Sequence, residues 1–146
     1  MSMFDSFDIN ASGMTAQRYR MDIISENVAN ANTTRTEDGT PYRRKVVTFE
    51  AIGKESSFGR IFNSARGSVA GGGVKVDSVV EDTWTEANMV YDPSHPDADE
   101  NGYVTYPNIN TVTEMTNLID ASRAYEANAT AFSASKLIAN KGLEMA

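Results

Sequence analysis

The chain has 146 residues, 40% of them hydrophobic and 23% charged, with a formal net charge of −7 and no cysteine. That length supports one ordinary domain able to bury roughly 70% of its unfolded surface. The missing cysteine excludes disulfides, thiolate metal sites and cysteine nucleophiles, and the acidic balance argues against nucleic acid as a partner, because nonspecific binding to it needs a net basic surface.

No apolar run exceeds three residues, against the about 20 of a membrane-spanning helix and the roughly 7–15 of a secretory signal. Direct membrane insertion is therefore not expected. Nor is a cleaved signal peptide, since Asp5 and Asp8 stand where a basic start belongs.

Residues 1–34 read as one amphipathic helix with an Asn-rich end. Phe7, Met14, Met21 and Val28 recur every seven positions, with Phe4, Ala11, Ile24 and Ala31 three or four residues away. Asp8, Arg20, Asp22 and Glu26 take the opposite face. Asn27, Asn30 and Asn32, followed by Thr33 and Thr34, do not suit a helix interior, because Asn competes for the backbone and favours caps. They form either a frayed C-terminal cap or a set of amides that bond to neighbouring chains or to the start of the next segment. Asn128 fits the second idea as well.

Residues 35–107 change character to a small β-rich region. Arg43–Ala51 and Val74–Val80 alternate apolar and polar residues, and Met89–Tyr91 stops at Asp92-Pro93. Glu37-Asp38-Gly39 gives a turn, Gly71–Gly73 a hinge, and Arg43-Arg44-Lys45 a solvated strand start. Residues 35–66 hold seven basic against four acidic side chains, and 75–100 one against eight. Such segregation either favours contact between identical or related subunits or marks two solvated faces.

Residues 108–146 form a second helix on the series Leu118, Tyr125, Phe132 and Ala139, flanked by Met115, Ser122, Ala129 and Lys136. Pro107 precedes it, Thr111 with Glu114 fits a capping box, and Gly142 fits a stop. Helices of this kind would run roughly 40–48 Å at 1.5 Å per residue, longer than a small domain is wide. Their Ala-rich seams bury little area. The expected fold is α+β, with the two terminal helices paired in a coiled-coil-like axial layer and a β-rich middle.

Catalytic chemistry finds no support. The single histidine, His95, lies in a Pro-rich loop, and the carboxylates around it lack the apolar setting that acid–base work requires. No glycine pattern cradles a phosphate, and no cofactor is expected. Asp97-Ala98-Asp99-Glu100-Asn101-Gly102 matches the first half of a calcium loop, with Asp97, Asp99 and Asn101 as oxygen ligands. The twelfth position is Asn108 where a bidentate Glu belongs, so the alternative is a solvated acidic turn.

Gly13, nine further residues and then Ile23-Ile24-Ser25-Glu26-Asn27-Val28-Ala29-Asn30-Ala31-Asn32-Thr33 resemble the signature of bacterial flagellar rod and hook proteins. Asp38–Arg44, Tyr91-Asp92-Pro93, His95-Pro96-Asp97, Gly102-Tyr103-Val104, Tyr106-Pro107-Asn108 and Ser122–Asn128 extend the likeness to flagellar basal-body rod proteins, the proximal ones above all. The resemblance implies a structural rod subunit, exported through the flagellar type III apparatus and assembled in the periplasmic space. It implies as partners copies of itself, other proximal and distal rod proteins and the inner adaptor at the rod base. The residues expected at subunit contacts are Phe7, Met14, Met21, Asn27, Val28, Asn30, Asn32, Thr33, Leu118, Tyr125, Asn128 and Phe132. Two other classes fit parts of the chain, a calcium-binding module and a type III secreted coiled-coil protein. The latter has no reason to carry the Asn-rich signature.

Overall fold

The computed structural model describes residues 3–52 and 72–144. In chain order the elements are α1 (Met3–Ala29), β1 (Lys45–Ala51), β2 (Val74–Glu81), β3 (Asn88–Tyr91), β4 (Tyr103–Tyr106) and α2 (Thr111–Glu144). The side chain of Phe4, the expected hinge residue Gly71 and the basic Lys54, Arg60 and Arg66 lie outside the described residues. Two compact units are built from this order: Met1–Tyr19 with Thr48–Ser78 and Ala121–Ala146, and Arg20–Val47 with Val79–Asp120.

In the first unit the two terminal helices meet. Phe7 stands edge-on to Phe132 with ring centroids 5.1 Å apart, and Gly13 faces Asn128 so closely that a Cβ there would fall 2.9 Å from its Oδ1. The pairs 7–132 and 13–128 run in opposite chain directions, so the helices are antiparallel here. Ser12 Oγ donates to Ile9 O and accepts the N–H of Val74, at 2.7 and 3.1 Å, tying α1 to the start of β2. Gly73, at φ +99°, makes room for that hydroxyl. β1 and β2 form a two-stranded sheet. Ile52 N–H donates to Gly73 O, and Thr48 Oγ1 to Ser78 O, which sets the pair antiparallel.

The second unit holds the β3–β4 hairpin, with Asn88 opposite Tyr106 and Tyr91 opposite Tyr103. Alternation puts Val90 and Val104 on one face, where Val104 is fully buried while Val90 stays exposed, and Met89, Tyr91 and Tyr103 on the other, all three exposed. Gly102, at φ +81°, closes the connecting loop against the Tyr91 ring and Pro93. Gly39, at φ +75°, forms the turn expected at Glu37-Asp38-Gly39, its N–H donating to Thr36 O.

Several expectations need correction. The start of α2 is capped by Asn110, whose Oδ1 accepts the N–H groups of Val112 and Thr113 at 3.1 Å each, so Thr111 is already helical. Glu114, the other half of the expected box, turns its carboxylate away from the helix end. Gly142 does not stop α2, which continues to Glu144. Strand β4 was not expected. Along α1 the enclosed line is Gly13, Ala16, Ile24 and Asn27, while Phe7, Met14, Met21 and Val28 are half-buried beside it. In the first unit, close helix approach selects the small Gly13 and Ala16 for the centre of the contact and leaves Phe7 and Met14 on its flanks.

Candidate functional site

Asn27, near the end of α1, and Glu114, in the first turn of α2, are each only 1% exposed, although one is polar and the other charged. Burial of this kind is tolerated only with full hydrogen bonding. Asn27 Nδ2 donates to Lys45 O at 2.8 Å and to Glu114 Oε2 at 3.2 Å. Its Oδ1 accepts the N–H of Lys45 at 2.9 Å and the O–H of Tyr42 at 3.1 Å. Both donors and both acceptor positions of the amide are thereby used.

Arg44 continues the cluster. Its Nε and Nη2 both reach Glu114 Oε1 at 2.9 Å, and Nη1 lies 3.6 Å from Asp82. Asp82 is fixed in turn. Its carboxylate accepts from the Thr85 N–H and O–H and from the Trp84 N–H, which together with Arg44 hold it below the ordinary carboxylate range. Asn108 accepts the Arg44 N–H and donates to Asp82 O and Thr85 O. The chain segments brought together are the end of α1, the start of β1, the loop after β2 and the start of α2. The expectation of a solvated basic triplet fails at Arg44, which is engaged in this cluster, and at Lys45, whose ammonium pairs with Glu26.

Tyr42 is the phenol of the cluster. Burial, and then the nearby charge of Glu26, raise its phenol from the ordinary 10.0 to about 12. The folded state thus favours the un-ionised phenol. The stabilisation is fully present below pH 10 and is lost as pH rises through about 12, at most about 2–3 kcal/mol by linkage. A phenolate absorbance titration of the full chain should show a step near pH 12 that Tyr42→Phe removes. Identical curves in that region would contradict the placement.

The remaining expected residues fall in four groups. Asn30 donates to Glu26 O and accepts from Thr33 Oγ1, which makes it the local cap of α1. Asn128 donates back to Ala124 O within its own helix. Asn32 is exposed and lines an open hollow of about 620 Å³ with Ala31, Met89, Val90, Tyr106 and Ile109. Leu118, Tyr125 and Phe132 are half-buried.

In the acidic loop, Asp97 accepts from Thr34 Oγ1 at 2.8 Å and faces Arg35 at 3.8 Å, so part of the charge segregation is matched inside the chain. Asp99 Oδ1 accepts the N–H groups of Asn101 and Tyr103, closing the hairpin turn. Among the described residues no three His, Cys, Asp or Glu side chains converge as a metal site. Sequence reasoning missed Tyr42, Arg44, Asp82, Asn108 and Glu114 as one cluster. The available signal was Asn27 itself, an amide inside an apolar frame that requires partners.

Large apolar side chains remain in solvent on α2, with Val112 72%, Met115 55% and Ile119 54% exposed near its start and Leu137, Ile138 and Leu143 near its end. Long terminal helices cross-tied to strands, with such surfaces uncovered, define an assembly subunit. Its similarity to known proteins agrees with that class. A family described as Flagella basal body rod protein matches residues 7–35, and one described as Flagellar basal body rod FlgEFG protein C-terminal matches residues 100–145. The chain is 44% identical to the flagellar basal-body rod protein FlgC of Bacillus subtilis (strain 168) over 99% of both chains. It is 43% identical to the FlgC of Borreliella burgdorferi over 93% of this chain and 92% of the other. With the FlgC of Salmonella typhimurium it shares 42% identity over 88% and 86%. The chain belongs to the FlgC family of flagellar basal-body rod proteins, and it is a structural subunit of the rod.

Proposed function

We propose that the chain builds the proximal rod by helical assembly and transmits torque along it, with no catalytic step and no cofactor. The observation that carries this is the uncovered apolar surface of α2: a 34-residue helix leaving Val112, Met115, Ile119, Leu137, Ile138 and Leu143 in solvent needs neighbours to cover them. Residues 1–34 and 108–146 form the axial layer and 35–107 the outer piece. Phe7, Met14, Met21 and Val28, with Leu118, Tyr125 and Phe132, are the half-buried flanks on which neighbouring helices close. Asn32 offers its amide to a neighbour. Asn27, Asn30, Thr33 and Asn128 act from within, by holding the helix ends and their spacing.

The neighbours are copies of the chain, other proximal and distal rod proteins and the inner adaptor at the rod base. The chain reaches the periplasmic space through the flagellar type III apparatus. Deleting it from a flagellated host should abolish swimming, and supplying it from a plasmid should restore swimming. Unimpaired swimming of the deletion strain would overturn the proposal.

A further inference from the structure

We infer that copies of this chain dock heterologously, the Val112–Met115–Ile119 ridge of α2 in one copy entering a hollow on α1 of the next at Ala11, Thr15 and Arg18. The inference rests on the rod-subunit reading and names the surfaces by which one copy meets another.

The hollow measures about 230 Å³ and is lined by Ala11, Met14, Thr15, Arg18 and Tyr125. An apolar cavity of roughly 150 Å³ already takes a benzene ring, so this one has room for a branched side chain. It lies on a solvent-facing line of α1 made of Ala11, Thr15, Arg18, Asp22, Ser25 and Ala29, all exposed and spaced alternately by four and three. That spacing, with small residues at four of the six positions, is what a second helix needs for close packing. The ridge supplies the complement. Val112, Met115 and Ile119 are spaced by three and four, and all are more than half exposed.

Charge selects this occupant and its direction. Arg18 and Asp22 lie at and just beyond the hollow, and Asp120 and Arg123 lie just beyond the ridge. All four are exposed, and none has an ion-pair partner among the described residues. Laid parallel, with Met115 and Ile119 over the hollow, the ridge brings Asp120 to Arg18 and Arg123 to Asp22. The other apolar ridge of α2, at Leu137, Ile138 and Leu143, carries Lys136, which would set like charge against Arg18, while its Lys141 is already paired with Glu144. The exposed Met89 and Tyr91 lie on a strand and lack helical spacing. Because hollow and ridge are different surfaces, the contact does not saturate in a two-fold dimer and passes from copy to copy, as a ring or an open helix.

The natural absence of cysteine gives a clean test. Full-length chains carrying Thr15→Cys with Ile119→Cys, expressed in the deletion strain and treated with a short bismaleimide, should give dimers and higher multimers. Either single variant should give none, and neither should the pair Thr15→Cys with Leu137→Cys. Swimming cells without the dimer, or a control pair that cross-links equally, overturn the inference and leave the rod reading standing. A wild-type chain that fails to restore swimming overturns both. Should the paired cysteines prevent assembly, charge reversal decides. Arg18→Asp and Asp120→Arg should each reduce swimming, and the two together should recover it, whereas a double variant as impaired as the singles overturns the inference.

Discussion

Asn27→Ala is expected to destabilise the chain by about 3–5 kcal/mol, because one truncation strands several buried groups at once. The amide serves the N–H and C=O of Lys45, the phenol of Tyr42 and one carboxylate oxygen of Glu114. Each buried partner left unsatisfied costs about 1–3 kcal/mol, and water entering the vacated space offsets only part of the total. Against the roughly 5–15 kcal/mol that holds a typical domain folded, the loss is large. Urea unfolding followed by circular dichroism measures it, with Ser25→Ala as control, since Ser25 is exposed on the same helix. A midpoint for Asn27→Ala equal to that of the control would mean that the amide is not the tie between α1 and β1. Amide exchange gives the local readout, because the Lys45 N–H should lose its protection first.

Gly73→Val is the second large effect, at about 3 kcal/mol. Two costs combine there. The backbone sits at φ +99°, which a β-branched residue adopts only under strain. The added Cβ would also lie 2.3 Å from Ser12 Oγ, the atom that accepts the Val74 N–H, so relieving the clash breaks that bond. Gly39→Ala separates the two costs, since Gly39 has φ +75° and nothing within 4 Å of the added atom. It should cost about 1 kcal/mol, the backbone part alone. Equal destabilisation by the two variants would remove the contact between α1 and the start of β2 from the explanation.

These two positions also mark how far the sequence could be read. The helices were legible in extent, because seven-residue apolar repeats persist along α1 and α2 whatever packs on them. Their enclosed centre was not, since hydrophobicity gives weight to Phe7 and Met14 whereas close approach selects Gly13 and Ala16. Asn27 stood out as an amide in an apolar frame, but its partners lie 15 to 87 residues away in sequence, beyond any local pattern. Asn110 and Thr111 are both competent caps. What decided between them was Glu114, drawn out of the expected box by Arg44 and Asn27. Tyr103–Tyr106 is four residues long between Gly102 and Pro107, too short for alternation to register, and its pairing with β3 supplies what the local signal lacks. The Asp97–Gly102 match to a calcium loop reported the turn faithfully, while the carboxylates it counted as ligands are engaged with Thr34, Arg35 and the hairpin backbone.

Electron microscopy of basal bodies from the deletion strain, with and without the restored chain, tests most directly whether the chain is a rod subunit. The expected result is a rod missing or truncated without the chain and complete with it, and the chain present in the purified basal bodies. A complete rod in the deletion strain, or purified basal bodies that lack the chain, would contradict the assignment.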